Sequence, residues 1–86
     1  MIDGLTVTKA EILEDALQGR GCLGRAAEDE PVFVIRARDL TAVRVLSFWC
    51  DQAELEGAPD SKVKDARKVQ MAMVIWRSNN PVKVPT

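Results

Sequence analysis

The sequence predicts an all-α protein. It reads as a helical hairpin (about 41–56 and 61–78) packed with two shorter helices (about 9–18 and 31–38) in one domain, 1–86, that assembles as an oligomer. Three observations carry this. Two long stretches have apolar residues at the helical period and are joined by the short turn Gly57-Ala58-Pro59-Asp60, which makes them antiparallel neighbours. A capping signature opens the chain's first periodic segment at Thr8. The run Met71-Ala72-Met73-Val74-Ile75-Trp76 is apolar all round, more than one buried face needs.

The first helix follows a short lead-in. In Thr8-Lys9-Ala10-Glu11 the Thr8 hydroxyl can accept from the amide three residues on, and Glu11 can reach back to the Thr8 amide. Ile12, Leu13, Ala16 and Leu17 share a face, and Gly19 is placed to stop the helix in a left-handed cap. A glycine loop follows, from about Gly19 to Ala27.

Pro31, after Glu28, Asp29 and Glu30, carries the signature of a helix start. The amide that proline lacks would be unpaired there, and carboxylates favour the positive end of a helix. The β-branched Val32, Val34 and Ile35 favour a strand instead. With no evident strand partner elsewhere in the chain, 31–38 is read as a short buried helix, and a strand remains the alternative.

The third helix carries the stripe Ala42, Leu46, Trp49 and Ala53, widened by Val45, Phe48 and Cys50. Gly57 stops it, and Asp60 or Ser61 caps the next. In the fourth helix Val63, Ala66, Val69, Met73 and Trp76 form the stripe, and Asn79-Asn80-Pro81 ends it. The tail Val82-Lys83-Val84-Pro85-Thr86 alternates and is expected to lie extended on the surface. Trp49 and Trp76 read most simply as core anchors, and Cys50 as a packed thiol.

Composition narrows the function classes. With 86 residues the chain makes one small domain, and small domains gain stability by associating. A net charge of -1 without a basic block weighs against nucleic-acid binding. No apolar run is long enough for a membrane span, and no leader is evident, so a cytoplasmic protein with reduced Cys22 and Cys50 is expected. Two cysteines and no histidine speak against a zinc site and against His-based acid–base or nucleophilic catalysis. No metal, no cofactor and no enzymatic activity are expected.

The stretch Gly19-Arg20-Gly21-Cys22-Leu23-Gly24 matches G-x-G-x-x-G, but it follows a helix and lacks a βαβ setting, so a dinucleotide fold is rejected. What remains is local. Glycines permit close approach of a ligand, turn amides can cradle an anion, and Arg20 and Arg25 suit phosphate. A tight turn with solvated arginines explains the same residues. Arg20, Gly21, Gly24 and Arg25, with Arg36 or Arg38, are the candidate ligand residues. Phe48, Trp49, Met71, Val74, Ile75 and Trp76 are the candidate interface. The acidic run 28–30 reads as a helix cap, and Cys22 has no visible base to make it a nucleophile.

The run Gly21-Cys22-Leu23-Gly24-Arg25-Ala26-Ala27, with Asp29-Glu30-Pro31-Val32-Phe33-Val34-Ile35-Arg36-Ala37, resembles a pattern in small proteins of bacteriophages and prophages, over about 9–86. That resemblance implies an anti-defence role in a host cell. Some such proteins are oligomeric sponges for cyclic-nucleotide immune signals, and others block host defence proteins by direct contact. No family site maps onto this chain residue by residue. The expectation is a non-enzymatic homo-oligomer that sequesters an anionic nucleotide signal. The alternative is a helical protein that inhibits a host defence protein.

Overall fold

The capping box at Thr8 forms as its spacing predicts. In the computed structural model, which describes residues 7–84, the Glu11 amide donates to Thr8 Oγ1 (3.3 Å) and the Thr8 amide donates to Glu11 Oε1 (3.1 Å). Helix α1, Lys9–Leu17, starts there. It ends in a Schellman motif: the Gly19 amide donates to Ala16 and the Arg20 amide to Asp15. Gly19 has φ 71°, the left-handed backbone that this cap requires.

Two compact units divide the chain, Met1–Val34 and Ile35–Thr86. The first holds α1 and a five-residue helix α2, Gly21–Arg25, where the sequence predicted only a loop. Gly24 makes the α1–α2 corner possible. A Cβ there would lie 2.7 Å from the Gly19 carbonyl carbon and 3.3 Å from the Ala16 Cα. The special feature of Gly24 is close backbone approach rather than the positive φ expected of a loop glycine.

The predicted helix over 31–38 is not present. Residues 31–36 have no regular secondary structure and 37–38 lie in a turn. Proline and acidic residues can start a helix, but they do not give it a face to bury. Pro31 to Val34 are all exposed, so no apolar packing offsets the cost of nucleation and of β-branched residues.

The second unit is the hairpin. Helix α3, Ala42–Leu55, and helix α4, Asp60–Arg77, pack against each other. The entry to α3 is organised by Asp39, whose carboxylate accepts from the Thr41 amide (2.8 Å) and hydroxyl (2.7 Å). These bonds, the hydroxyl first, hold the Asp39 carboxyl below its ordinary pKa. A second Schellman motif closes α3, with Gly57 donating to Glu54, Ala58 to Ala53, and Gly57 at φ 82°. The cap of α4 differs from expectation. Pro59 is the N-cap, and neither Asp60 nor Ser61 supplies a side-chain cap.

Residues 82–84 of the tail are non-helical, as its alternation suggests, and Lys83 is also paired; Pro85 and Thr86 lie outside the described residues. The Lys83 amide donates to Arg38, and the Leu40 amide donates to Lys83, forming a parallel bridge at Asp39 and Lys83. The strand partner absent from the sequence reading is therefore the tail, and it engages 38–40 rather than 31–36. Among the described residues Ala42, Cys50 and Val63 are the buried ones, all in this unit.

Candidate functional site

The glycine stretch places Gly21 at the first position of α2, Gly24 within it and Arg25 in its last turn. Arg20 is paired within its own unit, and its side chain stays 60% exposed. Its Nη2 lies 3.2 Å from Asp15 Oδ1, and its Nε also donates to that oxygen. Cys22 is an exposed free thiol. Arg20, Gly21, Gly24 and Arg25 belong to the first unit, whereas Arg36 and Arg38 belong to the second. Arg38 has its own partner, its guanidinium carbon lying 5.2 Å from the centre of the Trp76 ring.

The hairpin has two distinct faces. Arg67 on α4 donates to Asp51 on α3 (3.0 Å) and lies 3.8 Å from Glu54, and Gln70 donates to the Val43 carbonyl. Asp51 and Glu54 are 64% and 59% exposed at the side chain, so these pairs fix the register of the helices more than they stabilise them. By the helical period Val43, Ser47, Asp51 and Glu54 share this side of α3, and Arg67, Met71 and Val74 share it on α4.

The opposite face carries apolar residues from both helices. Val45 and Trp49 share a row on α3, and Val69, Met73 and Trp76 share one on α4. Trp49 is 42% exposed and Trp76 37%, so neither is the core anchor that its stripe position suggested. Val69 and Met73 are half-buried.

The predicted interface residues are all exposed, but they do not lie on one surface. Trp49 and Trp76 are on the apolar face, while Met71 and Val74 are beside Arg67. Phe48 and Ile75 fall on the outer flanks of their helices. A single apolar stripe cannot distinguish these positions until the cross-helix bonds show which side is which.

Exposed apolar side chains outside that prediction include Leu17, Val32, Phe33, Val34 and Leu55. Among the described residues no group of His, Cys, Asp or Glu is arranged to hold a metal ion. Among the described residues no helix is long and apolar enough to cross a membrane. No protein-family model, curated protein or solved structure matches the chain.

Proposed function

We propose that this is a non-enzymatic interaction protein that docks another protein on the two-tryptophan face of the α3–α4 hairpin. The observation that carries this reading is the exposure of Val45, Trp49 and Trp76 on the side of the hairpin opposite the Arg67 and Gln70 bonds. Aromatic residues that are only partly covered are the usual anchors of protein interfaces. Arg38 stacked on Trp76 places a cation on the face, and Lys62 and Asp65 add one charge of each sign further along the same row of α4. The partner it fits presents apolar anchors, with a carboxylate where it meets Arg38. In the setting implied by the phage resemblance, that partner would be a host defence protein.

Sequestration of an anionic nucleotide has less support. Of its cationic ligands, Arg20 is already paired with Asp15, and Arg36 and Arg38 belong to the other unit. Titration calorimetry with cyclic and linear nucleotides separates the two readings. The interaction reading expects no heat from either the wild type or an Arg20→Ala/Arg25→Ala variant. It also expects cross-linking to a partner that Trp49→Glu abolishes. Nucleotide heat that disappears in the double arginine variant would return the sponge reading to first place.

A further inference from the structure

The connector between the two turns that close at Glu30 and begin at Arg36 has no regular secondary structure. The Glu30 amide donates to Ala27, and Arg36 accepts from the Asp39 amide. Between them, the backbone groups of residues 31–35 make no hydrogen bond among the described residues. Val32, Phe33 and Val34 are 56%, 88% and 72% exposed. An apolar, β-branched segment with free amides and carbonyls is a template for pairing with another strand.

Its charges identify the partner. Glu30 precedes the apolar stretch and Arg36 follows it, each three residues from Phe33. If two copies lie antiparallel with Phe33 opposite Phe33, each Glu30, whose Oε1 accepts from the Ala27 amide of its own turn (3.0 Å) and whose other oxygen makes no such bond among the described residues, faces an Arg36 of the other chain. Directly opposed charges of unlike sign stabilise a strand pair, and like charges oppose it. Moving the axis to residue 34 would set Glu30 against Arg38, which is committed to Trp76. Moving it to residue 32 would set Arg36 against Glu28, which lies in the preceding turn.

Proline selects the same register. Directly opposed residues alternate between hydrogen-bonded and non-hydrogen-bonded pairs. With Phe33–Phe33 as a non-hydrogen-bonded pair, Pro31 opposite Ile35 is another, so the missing amide points away from the partner. Val32 and Val34 then exchange bonds across the axis. The Arg36 amide can donate to the Glu30 carbonyl of the other copy, while the Glu30 amide stays in its own turn.

We propose that residues 30–36 form an antiparallel two-stranded ribbon with a second copy of this chain, centred on Phe33. Wild-type protein in sedimentation experiments should show a concentration-dependent dimer. Val34→Pro removes an amide the ribbon needs at a position that makes no bond in the single chain. It should abolish the dimer with helicity unchanged.

Glu30→Arg and Arg36→Glu should each weaken the dimer about tenfold or more, and an equimolar mixture of the two should restore it. In a Cys22→Ser background, Phe33→Cys should oxidise to a cross-linked dimer and Val32→Cys should not. Residues opposed in a non-hydrogen-bonded pair lie about 4.5 Å apart at Cα, within disulfide reach. Trp49→Glu should leave this dimer intact, which separates its failure from failure of the docking face. A monomeric wild type overturns the ribbon. So does a dimer unaffected by Val34→Pro, or a mixture of charge variants that does not reassociate.

Discussion

Gly24 shows how a single missing carbon can set a local structure. The backbone of α2 passes so close to the end of α1 that a Cβ would meet the main chain of Gly19, which cannot rotate away as a flexible side chain could. Gly24→Ala should therefore destabilise the α1–α2 corner by roughly 1–3 kcal/mol, the usual range for overpacking. Chemical denaturation followed by circular dichroism measures it. A variant as stable as wild type would mean that the corner opens at no cost. Thr8 and Glu11 act through electrostatics instead. The Thr8 hydroxyl, then the Thr8 amide, lower the Glu11 carboxyl to about 2. A carboxyl depressed on folding contributes stability above its unfolded pKa and loses that contribution as pH falls through its folded value. The cap should thus persist from neutral pH to well below 4, and Thr8→Ala should raise the Glu11 titration midpoint in a carboxyl NMR titration.

The three longer helices were legible because their signals are local. Thr8 with Glu11, Gly19 and Gly57 specify ends within a few residues of chain, and the observed bounds fall within a residue or so of the expected ones. The segment 31–38 was not legible, because its fate depends on what it could bury and what it could pair with. Neither is written near Pro31. The pairing of 38–40 with Lys83 spans more than forty residues of sequence and leaves only two backbone bonds as its trace. Those bonds give a test. Lys83→Pro removes the amide that donates to Arg38 and should cost about 1 kcal/mol, the net worth of such a bond. Val84→Pro, whose amide has no such role, should be close to neutral in the same thermal melt. Equal midpoints for the two variants would show that the tail does not secure the hairpin.

The described chain buries few side chains, and all of them belong to the second unit. So little burial leaves a small margin of stability. The candidate surfaces divided in the same way. Apolar excess could be read from composition and from the end of α4. The assignment of Trp49 and Trp76 to one face, and of Met71 and Val74 to the other, required the cross-helix bonds of Arg67 and Gln70. Charge is also unevenly shared. Residues 1–34 carry seven acidic and three basic side chains, and residues 35–86 carry six and nine. At the connector between these halves, Phe33 is 88% exposed, so limited chymotrypsin digestion should cut there first in dilute solution. Protection of that bond as concentration rises is expected if the strand is covered by a second copy. A cut rate independent of concentration would indicate that the segment stays open.

The bridge between the tail and the entry to α3 has a mechanical consequence. Because 38–40 and Lys83 run parallel, tension that draws the two ends of the second unit apart loads both hydrogen bonds in shear. Neither bond can be peeled away before the other, so the hairpin should yield to stretching in one abrupt step rather than unravel gradually from an end.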